Sequence, residues 1–197
     1  MMAPQQSNRF LLVITLLLAT LAASAQVSVD PGSPARSGAG AYPVPARIPN
    51  MLFYLQRSLD QNSVIYEANF SEDKSRGRRL DTENPVNIYW LLNDVNHSTK
   101  ALSNVQKLGY GIRTEEYEDD LIQLHLVAYK KMPIRLKYAP QENRYQAYIS
   151  VDGKDVVLQK VFIHIDGGTK LNPHVAFIEL SGTTVQTGSR IVHRFRP

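Results

Sequence analysis

The sequence predicts an all-β domain, mainly antiparallel, built as a β-sandwich or partly closed barrel of about eight or nine strands with one short helix. Three observations carry this. Short segments rich in Tyr, Val, Ile and Phe alternate apolar and polar residues, and each ends in a Gly, Pro, Asn or Asp cluster. An Asp-Gly pair at 152–153 stands between two such segments, and Asp-Gly favours a two-residue hairpin because both turn positions need positive φ. A single stretch breaks the pattern with apolar residues at helical spacing.

The elements follow in order from near Asn50. "MLFYLQRS" (51–58) and "SVIYEANF" (63–70) are joined by the polar loop "LDQN" and read as a hairpin. "PVNIYWLL" (85–92) sets Val86, Ile88, Trp90 and Leu92 against Asn87, Tyr89 and Leu91. "STKALSNVQKLGYG" (98–111) spaces Leu102, Val105 and Leu108 at helical intervals and meets Gly109 at the expected C′ position, which predicts the one helix. "LIQLHLVAY" (121–129) points Ile122, Leu124, Leu126 and Ala128 inward and Gln123 and His125 outward, and "PIRLKYA" (133–139) alternates Ile134, Leu136 and Tyr138 with Arg135 and Lys137. The Asp152-Gly153 hairpin follows, and "HVAFIELSG" and "SRIVHRFR" close the chain as a pair around "TTVQTG".

The N-terminal 25 residues have the three parts of a secretory signal. Arg9 gives the positive start, Phe10 to Ala23 form an apolar run too short to span a bilayer, and Ala23-Ser24-Ala25 supplies small residues for cleavage. The expected mature chain starts at Gln26 and has no transmembrane segment. Residues 26–49, rich in Pro, Gly, Ser and Ala, read as a flexible tether, so the single β domain is expected over 50–197. The chain contains no cysteine, which excludes a lipoprotein anchor, disulfides and thiolate metal sites. Export without disulfides suits a bacterial periplasmic or secreted protein whose core suffices unaided. The net charge of +4 is small and split between basic runs, "KSRGRR" and "RIVHRFRP", and the acidic run "EEYEDD". Such runs read as solvated loops and ends, and nucleic acid is not an expected partner.

"NPVNIYWLL", "NVQKLGYGI", "LVAYKKMPIRL", "VFIHIDGGT" and "VAFIELSGTTVQTGSRIVHRF", in that order, resemble a family of small exported bacterial domains of unknown function over about residues 50–197. The resemblance implies an envelope-exported domain with no assigned activity and hence no catalytic residues to carry over.

Candidate chemistry centres on "VFIHIDGGT", where His164 and Asp166 share a strand face with Phe162. His-x-Asp on a β scaffold is how non-haem iron enzymes present two of three ligands, with a second His completing the set. His174 reaches them only through a tight loop, and the chain after His193 and between it and Asp166 is too short to enclose a jelly-roll site. The competing reading is a turn opening, Asp166-Gly167-Gly168, beside a partly exposed His164. Glu67 and Glu179 sit on strand-like runs and form a conceivable glycosidase pair. No nucleophile elbow, phosphate loop or His-Glu-x-x-His run is present. Tyr89, His125, Tyr129, Tyr148, Phe162 and His164 fall opposite the best apolar stripes, so they form either a ligand surface or a second core layer. The expected function is a non-enzymatic envelope module without cofactor or metal. Tyr89, His125, Tyr129, Tyr148, His164 and Asp166 are its candidate ligand-binding residues, with an envelope protein, a lipid or a saccharide as partner. The alternative is a hydrolase or metal enzyme acting through His125, His164 and Asp166.

Overall fold

The computed structural model describes residues 42–71, 79–116, 121–169 and 172–197. The secretory-signal reading and most of the expected tether fall on residues 1–41, outside the described residues. Eleven strands make one curled mixed sheet, a half-barrel, which agrees with the predicted class. The order is β4-β3-β2-β1-β9-β8-β7-β6-β5, with β10 on β9 and β11 on β10.

β1 (Met51–Arg57) and β2 (Ser63–Ala68) form the first hairpin, and β3 (Val86–Leu91) and β4 (Thr99–Ala101) extend it. β5 (Ile112–Glu116), β6 (Ile122–Leu126), β7 (Tyr129–Ala139) and β8 (Arg144–Val151) form a meander. β9 (Lys154–Gly168) is the spine. Its first half pairs with β8 through the Asp152-Gly153 turn, whose φ values of 49° and 75° are those the two-residue hairpin requires. β10 (Pro173–Thr184) pairs antiparallel along nearly all of β9, and β11 (Arg190–Phe195) lies on β10. Because β10 occupies one edge of β9, the other edge must serve β8 over residues 154–157 and then β1 over 160–163. The β1–β9 ladder is parallel, and every other pairing is antiparallel.

A bulge keeps this spine buried on one side. Ser181 faces Lys160 while Gly182 faces Leu158, so Gln159 is the extra residue and the inward parity moves from Val156 and Leu158 to Val161. Gly182 is required there, since a Cβ would lie 2.1 Å from the Val157 carbonyl oxygen.

The inner face holds the core. Phe53, Val64, Tyr66, Leu124, Ile134, Leu136, Ile149 and Leu158 are fully buried in it, as the period-two pattern requires. Phe53 stacks on Tyr66 with centroids 4.3 Å apart, and the Tyr66 hydroxyl donates to the Tyr110 carbonyl at 2.8 Å. Burial pushes the Tyr66 phenol far above its ordinary range.

The helix differs from expectation. α1 spans Asn104–Tyr110 only, because Ser103 caps it in a reciprocal box with Gln106 and residues 99–101 are taken by β4. Gly109 lies inside the helix, and Gly111 ends it in an extended conformation. Of the predicted apolar stripe, Leu102 is buried but Val105 and Leu108 are exposed. The expected helix is present, and a helix this short meets the sheet with little of its surface. Among the described residues no helix is long and apolar enough to cross a membrane.

Packing reaches back beyond Asn50 to Tyr42, within one compact unit of Ala41–Pro197. Residues 42–49 run as a strap along the outer side of β1 and β2. The Gln56 side chain donates to the Pro43 carbonyl at 2.5 Å and to Ser63 Oγ at 2.9 Å, and Tyr42 meets Phe162 edge-on at 5.2 Å. Pro45 is buried. On this outer side Tyr54, Gln56, Ser63 and Ile65 are buried as well, so part of the face opposite the main core is a second packed layer.

Candidate functional site

The six candidate residues do not converge. Tyr89, outward on β3, donates its hydroxyl to Glu67 Oε2 at 2.8 Å. Desolvation, then that acceptor and its charge, hold the phenol well above its usual range. Glu67 is therefore engaged in its own strand pair, while Glu179 lies on β10 and accepts from Arg194 Nη2 at 2.8 Å and Nε at 3.2 Å.

His125, outward on β6, has both ring nitrogens occupied. Nδ1 lies 2.9 Å from the Lys130 carbonyl and Nε2 lies 3.0 Å from Gln123 Nε2. A carbonyl only accepts and an amide nitrogen only donates, so the contacts assign the neutral tautomer with hydrogen on Nδ1. Glu115 Oε2 at 3.6 Å from Nε2 forms an ion pair only with the protonated ring, which would turn Nε2 against its amide donor. Tyr148, outward on β8, donates to Gln146 Oε1 at 2.6 Å, and the Lys137 ammonium sits 6.0 Å from its ring centre. Burial raises its phenol pKa first, with Glu142 adding to the effect.

His164 and Asp166 lie near each other but in different contacts. The His164 imidazole stacks on Phe177 with centroids 4.6 Å apart and planes at 8°, and the Arg194 guanidinium carbon lies 4.1 Å from the same Phe177 ring. Asp166 sits in a bulge of the β9–β10 hairpin, where the tight return brings His174 Nδ1 to 2.5 Å from its carboxylate. That hydrogen bond holds the exposed Asp166 carboxyl below its ordinary value. The strand continues to Gly168, whose φ of +85° serves the return. Among the described residues no three His, Asp or Glu side chains are grouped to hold a metal ion.

Tyr129 is placed differently from the rest. It begins β7, its ring lies 5.3 Å from Phe195, and both line a cavity of about 130 Å³ at the seam where the β6–β7 turn approaches β9, β10 and β11. Leu55, Val161, Ile163 and Ile178 form the inner wall and Met132 the outer one. No charged side chain lines it. Ala128 is an exposed residue of its lining.

A larger cleft of about 510 Å³ lies between the strap, the β1–β2 loop and the loop that follows β3. Sequence reasoning missed it, because the Pro-Val-Pro stretch that forms one wall carries the composition of a tether. The buried Gln56 that anchors the strap gives no local signal either, since it occupies an ordinary alternating position of β1.

Residues 53–194, well over half the chain, match a family model described as Domain of unknown function (DUF4833). No curated protein and no solved structure matches the chain.

Proposed function

The chain belongs to the DUF4833 family, a domain of unknown function, and from that premise we propose that it is a non-catalytic binding module that takes a small apolar group into the seam cavity beside Tyr129. The observation that supports this is the cavity itself. Its walls are apolar, exposed Ala128 is among its lining residues, and most of that lining lies within the residues that match the family. An unfilled apolar void costs stability in proportion to its volume, and a dry one of this order accepts a benzene-sized guest or the end of an alkyl chain. Reaction chemistry has less to stand on. His125 is satisfied at both nitrogens, His164 is stacked, and Asp166 is bonded to His174.

The test is protein NMR with benzene and pentane as probes. Saturable shifts confined to Ala128, Met132 and Ile163 support the module, and Ala128→Trp, which plugs the cavity from an exposed position of its lining, should abolish them while preserving the fold. Shifts spread over the surface, or unchanged in the plugged variant, would overturn it.

Export is part of the same proposal. The signal-like residues 1–25 support it, and N-terminal sequencing of protein recovered outside the cytoplasm should read from Gln26. An intact N-terminus on protein retained inside the cell would remove it.

A further inference from the structure

The strap cleft differs in chemistry from the seam cavity. Its floor and one wall are apolar, with Pro43, Val44, Leu91 and Leu92, and its polar lining residues are Arg47, Gln61, Ser63, Asn93 and His97. No Asp or Glu lines it. At about 510 Å³ it falls within the ordinary size range of small-molecule sites.

The cleft is also built. Gln56, 1% exposed, donates to the Pro43 carbonyl on one wall and to Ser63 on the other, tying the strap to β2 with a single amide. The opposite loop is fixed by its own contacts, Asn93 N–H donating to Asn62 Oδ1 at 2.8 Å and Leu92 N–H to the Ser98 carbonyl at 2.9 Å. Asp94, the nearest acid in that loop, is taken up by Ser98 and by the Asn96 amide, which with the charge of His97 hold its carboxyl below its ordinary value. Two of the five described non-glycine residues with positive φ, Arg47 at 61° and His97 at 48°, line this one cleft. Bulky residues adopt that region only when the surrounding structure holds them there, and such positions gather at functional sites.

We propose that this cleft binds a small carboxylate with a short apolar body, the carboxylate held by the Arg47 guanidinium and a ring N–H of His97 and the body by Leu91, Leu92 and the prolines. The guanidinium fork matches a carboxylate in two parallel hydrogen bonds. Among the described residues no acid forms an ion pair with Arg47, so an anion entering the cleft displaces no internal partner. The Gln61 and Asn93 amides supply further donors, and no carboxylate lines the cleft, the nearby Asp94 being engaged by Ser98 and the Asn96 backbone N–H. The strap cleft and the seam cavity share no lining residue, so this site is independent of the seam cavity.

Titration of the purified chain with benzoate, benzyl alcohol and inorganic phosphate, followed by NMR, tests the assignment. Benzoate is expected to shift Leu91, Leu92 and Asn93, benzyl alcohol to shift them far less, and Arg47→Ala to weaken benzoate about tenfold, the factor expected from one lost charge-assisted hydrogen bond. Arg47 is exposed, so the variant should fold normally, and Arg190→Ala provides a control away from the cleft. Equal binding of acid and alcohol, phosphate binding as tightly as benzoate, or Arg47→Ala matching the parent would each overturn the proposal. Shifts at Ala128 and Met132 instead would assign benzoate to the seam cavity and leave the strap cleft without a ligand, also overturning it.

Discussion

Both faces of β1 are buried, yet by different means. Inward, Phe53, Leu55 and Val161 meet a continuous apolar core in which stacked rings and branched side chains exclude water. Outward, Tyr54 and Gln56 lie beneath a strap held by the Gln56 amide, the edge-on Tyr42–Phe162 ring pair and the Leu59 N–H donating to the Tyr42 hydroxyl at 3.3 Å, while the Lys160 ammonium sits 5.1 Å from the Phe162 ring centre and 5.9 Å from that of Tyr54. Burial lowers the Lys160 pKa, and nearby Glu179 offsets part of that effect. The inner face is stabilised by buried apolar area. The outer face depends on a few directional contacts, and it is there that the larger open cleft survives.

The largest test of that contrast is Phe53→Ala, which removes a fully buried ring from the inner face and should cost about 3–5 kcal/mol, read as a lowered urea midpoint. A loss below about 1 kcal/mol would mean the inner face is not the main core. Next comes the bulge that keeps β9 in register with both neighbours. Gly182→Ala places a methyl against the Val157 carbonyl and should cost about 1–3 kcal/mol, and a neutral result would show the close approach to be relaxed in solution. Smaller again is Gln56→Ala, which leaves the Pro43 carbonyl and Ser63 without their donor and should cost about 1–2 kcal/mol. Hydrogen exchange should show faster opening of residues 42–49 with the core unchanged, and equal loss of protection in both layers would erase the distinction between the faces. The smallest effect is electrostatic. Asp166 is exposed, and its carboxyl is held below the ordinary 3.8 by His174. Because the folded value is the lower one, the stabilisation is present above pH 3.8 and fades as pH falls through the folded value. His174→Ala should return Asp166 to the ordinary range in an NMR titration and lower the urea midpoint only slightly, at neutral pH and not below the folded value.

Local patterns carried far in this sequence. Alternation placed Leu124, Ile134, Leu136 and Trp90 in the core, and Asp152-Gly153 located a hairpin to the residue. What it did not carry was long-range pairing. Nothing near Tyr54 or Lys160 announces a parallel ladder between them, since no turn joins the two strands. Likewise alternation assigns Tyr89, His125, Tyr148 and His164 to outward positions but says nothing about curvature, which separates them into different contacts. Tyr129 reaches a cavity because the β6–β7 turn and the end of β11 meet there, a fact of closure and not of period. The Pro-Val-Pro strap was illegible because it makes no regular structure and its anchor, Gln56, is a polar side chain buried by a distant carbonyl.

The Ser58 hydroxyl both donates to and accepts from the backbone of Ile165, 107 residues away, and marks the top of the β1–β9 ladder. During synthesis the first strands therefore emerge long before the segment that completes them. Until β9 arrives, one border of β1 is an open row of amides and carbonyls, and closure must bring together chain ends separated by most of the domain, the circumstance that makes sheet proteins fold slowly. A chain so wired gains its tertiary structure late, when nearly all of it is available.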